Sequence, residues 1–303
     1  MTQNRFDPPV GSPQSVAPGI KRILAPNPSP MTYRGTNSYI WGKHRIVVID
    51  PGPNSERHLS ALMAEINTRP VEAILVTHSH KDHSPLASRL STLCGAPVYG
   101  FGNSTSGRSP IMSDIADMGI EGGEGVDPDF HPDKTIKDFD VLPFTEGEVT
   151  CVHTPGHFGN HMCFSDGETL FSGDHVMGWA SSLISPPDGD LSDYMKSCRK
   201  LIGRPERIFL PGHGAPITDP QTRLDQLINH RRQRETQILR VLEVSEANPV
   251  EITKKLYADV PASLHPAAMR NVFAHLIDLH QRQVIAAKPS LSVDALYHLL
   301  PSH

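Results

Sequence analysis

The 303-residue chain is 38% apolar and 20% charged, with a formal charge of −5. That length accommodates one large domain, or a large one with a small one. The balance excludes a disordered chain and a globally basic nucleic-acid binder. The four cysteines, Cys94, Cys151, Cys163 and Cys198, form no C-x-x-C pair. They read as buried free thiols in a reducing compartment, which points to a cytoplasmic protein. The N-terminus has no apolar h-region, so no secretory signal is expected, and no run approaches the roughly 18 apolar residues of a membrane span.

Residues 1–19, rich in Pro and Ser, are expected to be a frayed, flexible N-terminal segment. The β-rich runs 38–42 and 44–52 predict a hairpin ending at Asp50-Pro51-Gly52. Leu59, Leu62, Met63 and Ile66 fall at helical spacing within 56–69. A buried strand follows at 71–77, then a helix over 84–95 with Ser84 as N-cap, Pro85 at N1 and Gly95 as its stop. After a strand at 96–101, residues 102–135 lose periodicity and read as a long loop or insertion. Strands are expected at 139–144, 148–154, 161–166 and 169–174, a helix at 191–203, and a strand running into a turn at 207–214.

The pattern changes after Pro220. Helices are expected at 221–244, 249–259 and 265–283, with a trailing strand, so residues 221–303 resemble a winged helix. In the last helix, Met269, Val272, Phe273, Leu276 and Leu279 form one apolar stripe, which reads as core.

The stretch T-H-S-H-K-D-H-S-P (77–85) concentrates imidazole and carboxylate just past an apolar strand. Strand side chains alternate, so His78 and His80 leave the strand end on the same side. Asp82 and His83 follow at the turn into the next helix. Neutral imidazole and carboxylate suit Zn²⁺, and three protein ligands per ion leave room for water, as in catalytic sites. Three further residues sit at strand ends beside glycine: His157 in T-P-G-H, Asp174 in S-G-D and His213 in P-G-H-G. Glycine there lets the backbone turn sharply and approach a metal. The repeated strand–Gly–ligand pattern points to a binuclear site.

H-x-H-x-D-H, then His after T-P-G, Asp in S-G-D and His in P-G-H-G, taken in order, resemble the metallo-β-lactamase superfamily over about residues 20–217. The resemblance implies an α/β fold, an αββα sandwich with metals at one rim. It implies that His78, His80 and His157 hold one metal, that Asp82, His83 and His213 hold the other, and that Asp174 bridges both. Asp50 matches the family's first-motif aspartate, a support behind the ligands. His153, His161 and His175 flank the motifs without matching ligand positions. The expected organisation is a flexible segment at 1–19, a hydrolase domain at 20–220 and a winged-helix-like domain at 221–303.

Two Zn²⁺ ions roughly 3.5–4 Å apart would share a hydroxide and hydrolyse without a covalent enzyme intermediate. Asp82 would hold the proton; the same ligands accept Fe or Mn. Asp174 stands where an antibiotic-degrading branch carries Cys, and His80 where the flavodiiron branch carries Glu. The stretches S-D-Y-M-K-S-C-R-K-L (192–201), P-G-H-G-A-P-I (211–217), N-H-R-R-Q-R-E-T-Q-I-L (229–239), L-Y-A-D-V-P (256–261) and the run at 267–285 resemble the β-lactamase-like protein 2 group, whose mitochondrial animal member resembles an endoribonuclease. The first expected substrate of a binuclear hydrolase of this kind is a small ester-like molecule, a thioester or lactone. Single-stranded RNA is the alternative, and a non-catalytic nucleic-acid binder is the alternative of another class. Arg231, Arg232 and Arg234 make a basic run that could meet RNA phosphates, but it reads first as a solvated helix face or a homodimer contact, because the tail holds ten Lys or Arg against eight Asp or Glu.

Overall fold

The computed structural model describes residues 6–120, 122 and 125–301. Period-2 alternation sets its layers. In β3 (Asn37–Trp41), β4 (Ile46–Ile49) and β5 (Val71–Leu75), Ile40, Ile46, Val48 and Ile74 face one side, while Tyr39, Trp41, Val47, Ile49 and Leu75 face the other. The first set packs under α1 (Glu56–Ile66) and α2 (Leu86–Cys94) through Leu59, Leu62, Leu86 and Leu90. The second meets Cys151, Met162, Phe164, Phe171 and Leu210 of the facing sheet. That sheet uses alternate residues, Val152, Cys163, Leu170 and Phe209, to pack outward on α4 (Leu191–Leu201) and the first half of α5 (Pro220–Val244). The result is four layers, αββα, as expected.

The first sheet runs in sequence order from β1 (Gln14–Ala17) and β2 (Ile20–Leu24) through β3, β4, β5 and β6 (Val98–Gly100) to β7 (Lys134–Thr135). The second contains β8 (Val141–Phe144), β9 (Gly147–His153), β10 (Met162–Ser165), β11 (Thr169–Gly173) and β12 (Ile208–Pro211), ordered β12-β11-β10-β9-β8. The pairs β4·β5, β5·β6 and β11·β12 are parallel, so several strands deliver their C-terminal ends to one rim.

Three details correct the sequence reading. Gln14–Ala17, inside the segment expected to be frayed, pairs antiparallel with β2, and Phe6 stacks on Tyr33 at 6.0 Å; residues 1–5 lie outside the described residues. The expected loop at 102–135 holds α3 (Pro110–Asp117), capped by Ser109 and started by Pro110. Its Met112 and Ile115, one turn apart, reach the core of the C-terminal helices, and this long-range burial secures a short helix. Ser84 does not cap α2: its hydroxyl donates to Asp127 Oδ2 at 2.6 Å and to His80 O at 3.1 Å, and Pro85 takes the N-cap position. Gly95 closes that helix in the left-handed conformation, as expected.

The C-terminal core joins the second half of α5 (Ile238, Leu242) to α6 (Pro249–Leu256), α7 (His265–Gln281) and the hairpin β13 (Ile285–Lys288)–β14 (Leu296–Leu299). Val272, Phe273, Leu276 and Leu279 of the predicted stripe are buried there, and Met269 is half-buried. The 25-residue α5 serves two cores, and the expected boundary at residues 220/221 falls at its first turn. All four cysteines are free; three are buried and Cys94 is half-buried. No helix of the described residues is long and apolar enough to cross a membrane.

Candidate metal centre

The rim gathers all seven residues singled out in the sequence. His78 to His83 follow β5, His157 follows β9, Asp174 follows β11 and His213 follows β12. Their ligand atoms lie within 4.8 Å of one another in three sets: His78, His80 and His157; His78, His83 and Asp174; Asp82, His83 and His213. His78 Nε2 and His157 Nε2 stand 2.9 and 3.2 Å from His80 Nδ1. On the other side, His213 Nε2 is 3.1 Å from Asp82 Oδ2 and 3.2 Å from Asp174 Oδ2, and His83 Nε2 is 3.3 Å from Asp82 Oδ2. Asp174 connects the halves: its Oδ2 is 3.7 Å from His157 Nε2 and its Oδ1 3.5 Å from His83 Nε2.

Four of the five imidazoles, those of His78, His83, His157 and His213, are held from behind, which fixes the nitrogen that faces the centre. His157 Nδ1 donates to Leu183 O at 2.7 Å, and His213 Nδ1 to Gly35 O at 3.1 Å. His83 Nδ1 donates to Asp50 Oδ2 at 2.8 Å. The Thr77 hydroxyl donates to the same oxygen at 2.8 Å, so it accepts from His78 Nδ1 at 3.0 Å. Asp50 Oδ1 accepts the Thr77 amide at 2.7 Å. Asp50 thus supports one ring of each half without facing the centre. The backbone amide of Asp174 donates to His161 Nε2 at 3.2 Å, which gives that flanking histidine a supporting role. The glycines do steric work here. A Cβ on Gly212 would lie 2.4 Å from Asp174 Oδ1 and 2.6 Å from His83 Cε1, so only glycine lets the end of β12 run this close. Gly173 sits at φ 47°, and a Cβ there would meet His161 Nε2 at 2.6 Å.

The electrostatics divide the centre. Burial, reinforced by neighbouring imidazoles, drives the pKa of His78 far down, and burial drives His80 to about 3 and lowers His157. These three rings are neutral and offer lone pairs. Burial pushes down on His83 and His213 too, but Asp82 and Asp174 outweigh it, so His83 rises well above its usual value and His213 to about 10. Burial also raises Asp82 and Asp174, and the same two histidines more than offset it. Two carboxylates, Asp174 buried and Asp82 half-buried, thus draw positive charge to this side. His83 Nε2 and Asp174 Oδ1 are both buried without a hydrogen-bond partner. Buried polar atoms rarely go unpaired, and unpaired nitrogen and oxygen donors beside three neutral imidazoles fit divalent cations.

Several contributors lay outside the sequence reading. Thr36 Oγ1 donates to Asp82 Oδ2 at 3.1 Å, and Ser182 Oγ donates to Asp174 O. Thr77 stands beside His78 and was within reach of the motif; the others come from distant segments with no local signature. Arg231, read as part of a basic run, is instead buried, 5.3 Å from the Tyr194 ring centroid. Arg234 stacks over Tyr257 at 4.1 Å, and Arg232 is exposed.

The fold and this rim define a metal-dependent hydrolase, and comparison with known proteins agrees. Residues 31–213 match the family profile described as "Metallo-beta-lactamase superfamily", and residues 249–290 match "Beta-lactamase associated winged helix domain". The chain therefore belongs to the metallo-β-lactamase superfamily. It is 36% identical to the "Beta-lactamase-like protein 2 homolog" of Drosophila melanogaster, over 86% of this chain and 88% of that protein. It is 30% identical to the "Atrochrysone carboxyl ACP thioesterase" of Aspergillus fumigatus, over 86% and 81%. The fold matches a beta-lactamase domain protein from Burkholderia ambifaria at TM-score 0.80 and 20% identity, covering 98% of this chain and 96% of that one.

Proposed function

We propose that the chain is a binuclear zinc hydrolase acting on a small ester-like substrate, a thioester or lactone. The observation that carries this reading is a cleft of about 760 Å³ whose floor is His80, Asp82, His157, Asp174 and His213. Small-molecule sites are clefts of roughly 300–1,000 Å³ with apolar walls and a few convergent polar groups. Here Met31, Met177, Trp179, Leu183 and Leu264 provide apolar surface, and Ser185 and Asn271 add polar groups. That mixture suits an acyl chain with one reactive carbonyl. The thioesterase name of the Aspergillus relative supports the substrate class.

In this reading His78, His80 and His157 would hold one ion and Asp82, His83 and His213 the other, with Asp174 available to both. Divalent ions held there supply Lewis acidity and make water nucleophilic near neutral pH. The chain's own groups do the rest. Asp50, Leu183 O and Gly35 O keep the imidazole lone pairs aimed inward. Asp82 is the more exposed carboxylate, 23% against 9% for Asp174. Its Oδ2 is engaged by Thr36 and His213, which leaves Oδ1 to take the proton of the attacking water and pass it to the leaving group. The cleft walls exclude bulk water and seat the acyl group.

RNA cleavage would need cations along a track for the backbone. Two of the three arginines in the basic run are engaged inside the protein. The test is an assay of the zinc-loaded full chain on an acyl thioester, a lactone, a β-lactam and labelled single-stranded RNA, each with a chelator control. Chelator-sensitive hydrolysis of the thioester or lactone is expected. RNA cleavage with no ester hydrolysis would overturn this reading.

A further inference from the structure

The segment Ser182–Ile184 has no regular secondary structure, yet Ser182 and Ile184 are fully buried. Buried backbone groups outside helices and sheets must find partners elsewhere, and here those partners come from the C-terminal helices. The Ile184 amide donates to Asn271 Oδ1 of α7 at 3.1 Å. Arg231 of α5 donates through Nη1 to the same Asn271 oxygen at 3.1 Å, and through Nη2 to Ser182 O. A buried guanidinium is kept where it is paired, and its planar fork bonds two acceptors at once. It ties Ser182 and Asn271 into one rigid unit.

The same three-residue segment touches one half of the metal centre and the carboxylate that connects the halves. Leu183 O accepts from His157 Nδ1 at 2.7 Å. The Ser182 hydroxyl donates to Asp174 O and His175 O. The chain of contacts therefore runs from Arg231 and Asn271, through residues 182–184, to one imidazole ligand and to the backbone of the connecting carboxylate. Arg231 and Asn271 lie 49 and 87 positions from the segment residues they hold.

We infer that Arg231 and Asn271 are positioning residues for the metal centre, and that the C-terminal helices are a structural part of that centre. The inference rests on the metal reading above. Outer-shell partners set ring orientation and ligand basicity, and their loss commonly weakens metal binding 10–100-fold. One consequence concerns truncation: removing the tail removes the clamp, so activity lost on tail deletion reports a disturbed metal centre rather than a lost substrate contact.

The test compares the full-length parent with Asn271→Leu, Asn271→Asp and Arg231→Lys. Zinc affinity is read by competition with a chromophoric chelator, and ligand geometry by the absorption spectrum of the cobalt-loaded protein. Asn271→Leu and Arg231→Lys are each expected to weaken zinc binding by about 10-fold or more and to shift the cobalt bands. Asn271→Asp keeps the oxygen that accepts from Ile184 and Arg231, so it is expected to retain parental affinity and spectrum. That rescue separates positioning from general damage, and metal-free melting curves show whether each variant is folded. Should Asn271→Leu fail to fold, Arg231→Lys carries the test. Parental zinc affinity and an unchanged cobalt spectrum in a folded Asn271→Leu or Arg231→Lys would overturn the clamp. Equal weakening by Asn271→Asp and Asn271→Leu would overturn it too. A parent chain that binds neither zinc nor cobalt would instead sink the metal reading itself.

Discussion

Asp50 and His83 are joined by a 2.8 Å hydrogen bond between Oδ2 and Nδ1, and both side chains are buried. Asp50 leaves β4 at φ 49°, a conformation that costs a non-glycine residue energy and persists where the surroundings demand it. The turn pays this cost to aim one carboxylate at His83, the Thr77 hydroxyl and the Thr77 amide together. Asn cannot reproduce that pattern. Its amide group places donors where one oxygen now accepts twice, and the histidine loses the charge that fixes its tautomer. Asp50→Asn is expected to weaken metal binding roughly 10–100-fold while the folded structure persists. Chelator competition checks this; parental affinity would remove Asp50 from the supporting role.

The two halves of the centre make separate demands. His80 belongs with His78 and His157, and His213 with Asp82 and His83. His80→Ala and His213→Ala should each reduce bound zinc from two equivalents toward one, and both should abolish turnover. Metal content after gel filtration, measured beside activity, decides the matter. Full activity or full stoichiometry in either variant contradicts the ligand assignment.

Much of this rim was legible because its chemistry is local. His78, His80, Asp82 and His83 lie within six positions, and the three distant ligands each carry a glycine that the crowding demands, as Gly212 shows. The four layers were legible only through the family resemblance; the alternation between two apolar cores that builds them, as at Val47 and Val48, shows in the packing. What stayed hidden depends on pairing over long distances. β2 is an ordinary I-K-R-I-L run until Tyr39 and Ile40 of β3 stand beside it. α3 is too short to declare itself without the C-terminal core beneath it. Arg231 read as a charge on an exposed face, because nothing nearby in sequence announces Ser182, Asn271 or Tyr194.

The cleft has a wall that the hydrolase fold alone lacks. Leu264 and Ala267, at the start of α7, face the same space as His80 and His157. If that space seats the acyl group, a charge there harms binding more than chemistry. Leu264→Arg is expected to raise KM for an apolar acyl thioester by about 10-fold or more, within the roughly 1–3 kcal/mol of a lost apolar contact, with kcat changed little. An unchanged KM would place the substrate elsewhere.

His58 provides a pH test that is independent of the metal ligands. It lies on the buried face of α1, where Nε2 meets Ser38 Oγ at 2.7 Å and Nδ1 has no partner. Burial lowers its pKa to about 4, so the folded chain resists a proton that the unfolded chain accepts near pH 6.5. Its contribution is therefore complete above pH 6.5 and is lost as pH falls toward 4. The whole effect amounts to about 3 kcal/mol, with a slope of at most about 1.4 kcal/mol per pH unit. His275, whose two ring nitrogens are both buried without partners, is lowered in the same direction and steepens the total. Urea unfolding of the chelator-treated chain at pH 7.5, 6 and 5 should show stability falling with acidification. His58→Gln, which cannot take up that proton, should show a shallower fall, by up to one proton's slope. An equal or steeper fall in the variant would mean that His58 titrates alike in both states, and that its burial carries no linkage to pH.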